Sequence, residues 1–264
     1  MSVVLSSQFP SRPAILGAAP ARITDGASLI LGSGLEAGTL SGMTVGRENL
    51  SQRAYLRIRS SLIHSELRPG QRLVLRPLAA ELQLSPTPVR EALLRLVSEQ
   101  ALTLDERGSA IVPVIGVEEF REIVDIRCDL EGRAAARAAD HASPSDIEQI
   151  AALVRAYEIA SAAKDRPAML GRNAELHRMV CRAARAPLIL RILEGIWMRI
   201  GPVYALSQQE PAAAADGDAH PHERLVAALR HRDGEAARAA VIADVRRSSD
   251  WLERSLVAAA DQIA

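Results

Sequence analysis

Aromatic side chains are scarce, at 3% of 264 residues, so the core has to be made mostly of Ala and Leu, which suits helices packed on helices. Cysteine is nearly absent. Cys128 and Cys181 allow at most one disulfide and no zinc-ribbon spacing, so the expected home is a reducing cytoplasm. No apolar run approaches the about 18 residues of a membrane-crossing helix, so no membrane partner is expected. The first residues lack a basic stretch followed by a clean apolar one, which argues against a secretory signal. Net charge is zero as well, so overall charge does not point to a partner.

What is there is a 48% hydrophobic composition, enough for a sizeable core, and a length that fits one or two domains. The charge is unevenly spread. Residues 51–115 hold nine Arg against six Asp and Glu, net +3, whereas 116–264 are net −3 and 1–50 are balanced. The middle segment is therefore the part suited to meeting an anion.

Residues 84–96, LSPTPVREALLRL, organise that segment. Ser85 is expected to cap a helix, and Pro86 suits its first position, where no N–H is needed. Val89, Leu93 and Leu96 repeat at four and three, giving a buried stripe. Thr87, Arg90, Glu91 and Arg95 lie off it. A helix is predicted before this one over 51–65, with Tyr55, Ile58, Leu62 and Ile63 inward. The breakers Pro69 and Gly70 follow, then a short apolar piece over 73–75 and a helix over 76–82. The helix at 86–100 leads into strands at 101–104 and 110–114, joined by a turn at Asp105–Ser109. Three helices and a hairpin make a winged helix-turn-helix over 50–115. Residues 1–49, rich in Gly, Ala, Ser and Pro, are expected to form a disordered tail, with a brief strand or helix at 27–35 as its one exception.

From Gly116 the pattern is helical almost throughout. Helices are predicted at 117–141, from a Ser143-Pro144-Ser145-Asp146 start to 163, from about 164 to 185, and at 188–206, 222–231 and 234–260. Asp233 is placed to cap the last, and 208–217 reads as a loop. The fold is thus mainly α: a winged helix followed by an all-helical antiparallel bundle of six or seven helices over 116–264.

The motifs LRPGQRL (67–73), LAAELQLSPTPVREALLRL (78–96) and Arg107-Gly108, with RCDLEGRAA (127–135), NAELH (173–177) and HERLVAALRHRDGEAARAAVIAD (222–244), resemble the GntR family of bacterial transcription regulators. The resemblance is to the subfamily of the fatty-acid-responsive regulator, whose C-terminal half is the helical FCD ligand-binding domain. It covers roughly 50–260. It implies a homodimer on an inverted-repeat operator in double-stranded DNA, contacted by Arg76, Thr87, Arg90 and a wing at Arg107 and Gly108. Arg90 suits a guanine edge, because a guanidinium can bond O6 and N7 together, while Thr87 suits phosphate. Pro86 departs from the family, which has arginine there, and removes one basic contact.

Asn173 and His177 are four apart, hence on one helix face. The resemblance implies that they join His222 and Asp244 around a divalent metal, Zn²⁺, Mn²⁺ or Ni²⁺, below an effector pocket. Asn173 and Asp244 replace the family's usual Asp and His, so the set is harder than usual. The resemblance also implies that Arg127 looks into the pocket, where its fork suits a small organic or sugar acid; an ion pair with Glu131 is the other use for it. His220 and His231 read as surface residues. No general base accompanies the metal set, so a metal-assisted hydrolase does not fit, and a winged helix would be left unexplained. Two regulators stay open: one controlled by a carboxylate metabolite, expected to be a repressor, and one whose bundle dimerises without metal or effector.

Overall fold

The computed structural model describes residues 42–206 and 220–261. The expected tail up to residue 41, with its ordered piece at 27–35, and the loop at 208–217 lie outside the described residues. The first helix, α1 (Gly42–Ile63), starts nine residues before the predicted position, so 42–49 are helical rather than part of a tail. Its Ala54, Tyr55, Ile58 and Leu62 are buried at helical spacing, as the sequence pattern requires.

A small three-stranded sheet follows from β1 (Arg72–Leu73), β2 (Thr103–Leu104) and β3 (Ala110–Ile111), in the order β1-β3-β2 with both pairings antiparallel. The apolar piece near 73 is thus a strand, and the hairpin strands are shorter than expected. Between β1 and β2 lie α2 (Leu75–Glu81) and α3 (Pro86–Ser98). The turn joining them is closed by Gln83, with φ +56. The N–H of Leu84 donates to the Ala79 carbonyl at 2.9 Å and that of Gln83 to Ala80 at 3.1 Å. This double closure satisfies carbonyls that the helix end leaves free. Ser85 has the extended backbone of an N-cap, but its side chain makes no cap hydrogen bond. The prediction of a serine cap fails there, and the start of α3 rests on Pro86, whose ring presets a helical φ.

The bundle consists, among the described residues, of six helices: α4 (Val117–His141), α5 (Pro144–Ala162), α6 (Arg166–Ala183), α7 (Pro187–Tyr204), α8 (Pro221–Arg230) and α9 (Gly234–Asp261). Ser143 and Asp146 form a reciprocal capping box at the start of α5, and Asp233 accepts the N–H of Ala236 to open α9. Long helix α9 packs along α4, α5 against α6, and α8 against α9. Phe120, Ile150, Leu176 and Leu193 are fully buried, each worth about 1.5–3 kcal/mol relative to exposure.

The apolar core runs without a break from the winged helix into the bundle. The join is α7 on α1. Arg59 of α1 pairs with Glu194 of α7, and Arg199 of α7 reaches the Gln100 carbonyl at 3.2 Å and the Glu119 carboxylate. Gly201 lies so close to the end of α1 that a Cβ there would collide with the Leu62 carbonyl oxygen. No described helix is long and apolar enough to cross a membrane.

Candidate functional site

The winged helix presents its basic side chains outward. On α3, Pro88, Val89, Ala92, Leu93 and Leu96 face the core, which leaves Thr87 and Arg90 on the exposed side. Arg76, Arg90 and Arg107 are all exposed, and none has an ion-pair partner among the described residues. The wing turn is shaped by Asp105, whose carboxylate accepts the N–H groups of Arg107 at 3.0 Å and Ser109 at 2.7 Å and pairs with Arg72 of β1. Gly108 supplies φ +74 in that turn, a conformation that costs glycine nothing. Arg95 is different: it lies 3.7 Å over the Tyr55 ring and donates to Glu99 at 3.0 Å and Gln52 at 2.8 Å. It fastens α3 to α1 and is not free to read DNA.

In the bundle, His177 of α6, His222 of α8 and Asp244 of α9 are buried together, with one ligand atom from each lying within 4.8 Å of the others. Asp244 Oδ2 is 2.9 Å from His177 Nε2, and Oδ1 is 3.0 Å from His222 Nε2. The second contact lacks hydrogen-bond geometry, so both ring nitrogens of His222 are buried without a hydrogen-bond partner among the described residues. Two imidazoles and a carboxylate are a donor set that fits a divalent first-row metal, which would take the place of the proton His177 shares with Asp244. Asn173 lines the neighbouring cavity one turn before His177, but the structure gives no contact between it and this cluster.

Glu131 was not singled out from the sequence as part of the site, yet it is central. Its Oε2 is 2.6 Å from His177 Nδ1, on the side of the ring away from Asp244. A carboxylate on the far nitrogen of a ligating histidine fixes the ring's tautomer and orientation. Glu131 Oε1 accepts from Arg127 Nε at 2.7 Å and Trp197 Nε1 at 2.8 Å. Arg127 Nη1 donates to the Tyr204 hydroxyl at 2.8 Å, and that hydroxyl also meets Ser248 and Ser249. Arg127 therefore lines the cavity while being ion-paired with Glu131. Of its guanidinium nitrogens only Nη2 is without a partner among the described residues. The signal for Glu131 was its spacing four residues after Arg127, which taken alone means no more than a pair along one helix.

The electrostatics follow from this packing. Burial disfavours ionised Glu131, but the charges of Arg127 and His177 overcome it and take its carboxyl down to about 2. Burial likewise opposes the imidazolium of His177, yet Glu131 and Asp244 push it up to about 10. Asp244 is held well below the usual carboxylate range: burial opposes its charge, and His222 and His177 outweigh burial. His220 is not the surface residue expected. It is half-buried, 4.5 Å from the His222 ring and 5.5 Å from Tyr157, and burial with the neighbouring His222 pushes it down to about 4. His231 is exposed, as expected.

Comparison with known proteins matches two families, one in each part of the chain. Residues 50–112 match the family described as bacterial regulatory proteins, gntR family, and 122–247 match the FCD domain. The chain is 33% identical over 174 residues to the HTH-type transcriptional regulator McbR of Escherichia coli, covering 65% of this chain and 78% of that protein. A probable D-xylose utilization operon transcriptional repressor of Paenarthrobacter nicotinovorans is 28% identical over 160 residues, 61% of this chain and 70% of that one. The solved structure of E. coli McbR/YncC superposes with a TM-score of 0.74 at 28% identity, over 78% of this chain and 98% of that one.

Proposed function

Since the chain belongs to the GntR family, with an FCD domain as its C-terminal half, we propose that it binds an inverted-repeat operator as a homodimer and releases it when a small carboxylate-bearing metabolite enters the bundle. That it is a DNA-binding transcription regulator and not an enzyme follows from the family itself. The winged helix spans about 50–115 and the sensing half 116–264. The exposed Arg90 reads a base edge, Arg76 and Thr87 hold the strands, and the wing at Arg107 and Gly108 adds a backbone contact. Two copies related by a two-fold axis double these contacts and set the half-site spacing. Repression is the sense carried by the name of the D-xylose relative.

The observation that carries the sensing role is the cluster of His177, His222 and Asp244 beside the cavity that Arg127 and Asn173 line. His177, His222 and Asp244 would hold the metal, Glu131 would orient His177, and Asn173 would contribute from the wall if the cavity rearranges. A bound Zn²⁺, Mn²⁺ or Ni²⁺ supplies a Lewis-acid point to which an effector's oxygens can bind. Arg127 Nη2 is the donor that remains for a carboxylate.

One observation favours the other reading. The 2.9 Å bond between Asp244 and His177 lets the cluster pair its own charges, which suits a bundle that only dimerises. Metal analysis of purified protein separates the two. Stoichiometric metal that disappears in His177→Ala supports the sensor. Protein that takes up no metal under any condition supports the bare dimerisation half.

A further inference from the structure

The cavity beside the histidine cluster is not enclosed by the bundle alone. Its lining includes Ile63 and Ser65, at the end of α1 in the DNA-binding half, together with Arg127, His177, Trp197 and Tyr204. Ser65 is 6% exposed and its hydroxyl has no hydrogen-bond partner among the described residues. The helix end there is tightly built. Ser65 adopts φ +61, and the N–H of Glu66 donates to the Ser61 carbonyl at 2.9 Å. Leu62, one turn before Glu66, offers the carbonyl against which Gly201 rests.

Size decides what this wall does. The cavity volume is about 40 Å³, enough for a water or two and too small for a metabolite. An occupant must move a wall. The walls from α4, α6 and α7 are tied to one another by buried ionic contacts, Arg127 to Glu131 to His177 with Trp197 on the same carboxylate. Breaking such a buried network is costly. The end of α1 is held by apolar packing, the Arg59–Glu194 pair, a 4.0 Å contact of His64 with Glu175 of α6 and the bare backbone of Gly201, none of them part of that network. It is the wall with the least to lose.

We infer that the effector site is shared between the two halves of the chain, with Ser65 and Ile63 as ligand-contacting residues, so that an occupant displaces the end of α1 directly. This rests on the sensing role proposed above and adds its route. The helix that ends at the cavity is the one to which Arg95 and Glu99 fasten the reading helix. A displacement at Ser65 therefore reaches α3 through one rigid element rather than through the connection at 112–117. A ligand that favours the displaced arrangement shifts the population toward it.

The test fills the cavity from the bundle side. Ala174→Met places a longer side chain on the α6 wall; Leu170→Phe does the same from one turn earlier and serves if the first variant does not fold. Hydrogen exchange is followed at 58–66, and affinity is measured for a duplex that the wild-type protein selects from a random pool. The expected result is faster exchange at 58–66, affinity lowered at least tenfold, and exchange in α4 and α9 unchanged. A folded variant with wild-type exchange at 58–66 and wild-type affinity overturns the proposal. The exchange measurement needs no DNA. Wild-type protein that selected no duplex would count against the operator reading, while α1 would still report on the filled cavity.

Discussion

Glu131 holds His177 from behind, with Oε2 2.6 Å from Nδ1 while the opposite nitrogen faces Asp244. Glu131→Gln keeps the size and removes the charge. Metal affinity measured by titration calorimetry is expected to fall by about 10–100-fold. The same change leaves the buried Arg127 without its counter-charge, so the thermal midpoint should drop as for a broken buried pair, at a cost of about 3–5 kcal/mol. Unaltered metal affinity in a folded variant would remove Glu131 from the site.

Arg90 and Arg95 sit five residues apart on α3 and should behave oppositely. Arg90→Ala is expected to reduce operator binding by about 1–3 kcal/mol for the lost base contact, with the helical circular dichroism signal and the dimer unchanged. Arg95→Ala should leave base recognition alone and cost stability instead, by about 0.5–1 kcal/mol for the lost cation–π contact with Tyr55. A gel-shift series beside urea melts reads both. The assignment is wrong if the two variants exchange these behaviours.

Ser143 and Asp146 set an acid limit on the bundle. The Ser143 N–H, ahead of the Ser143 hydroxyl and Arg185, holds the Asp146 carboxyl below its ordinary value, with burial opposing. The folded value is lower than the unfolded one. The stabilisation is therefore fully present above the unfolded value of about 3.9 and is lost as pH falls through the folded value. Asp146→Asn should flatten the loss of urea midpoint as pH falls from about 4 through the lower folded value. Ser143→Ala should cost about 1 kcal/mol at neutral pH.

Gly201→Ala sets two effects against each other. Alanine gains about 1 kcal/mol of helix propensity over glycine, and on an open helix face it would stabilise. Here the added methyl meets the Leu62 carbonyl, and a forced backbone shift of this kind costs about 1–3 kcal/mol. A lower melting temperature and faster proteolysis near Val114 are expected. A rise in melting temperature would mean that α1 and α7 are not in contact.

How much of this was legible in the sequence follows from what each signal depends on. Helix order and the α5 start could be read because they rest on local spacing: Ser143 and Asp146 cap whatever the rest of the chain does. Arg95 and Glu131 could be read as exposed or paired but not resolved, since their partners Gln52, Tyr55 and His177 come from distant segments. Ser85 misled because a residue type suited to capping still needs its hydroxyl aimed at an N–H. The early start of α1 at Gly42 has no capping or periodic signal that would have announced it. His220 looked like a surface histidine because only the fold stacks it against His222 and Tyr157.

The unbroken core between the two halves has a consequence for modularity. A reading head that met its sensor only through a tether could be exchanged between regulators like a cassette. Here Leu62, Ile63 and Ser65 are fitted to the α7 and α6 surfaces of this particular bundle. A chimera carrying the winged helix of a relative would keep every residue proposed to contact DNA and still present α7 with a foreign counter-surface. On the DNA contacts proposed above, altered sequence preference is therefore more readily reached by changing the outward residues of α3, one at a time, than by transplanting the head.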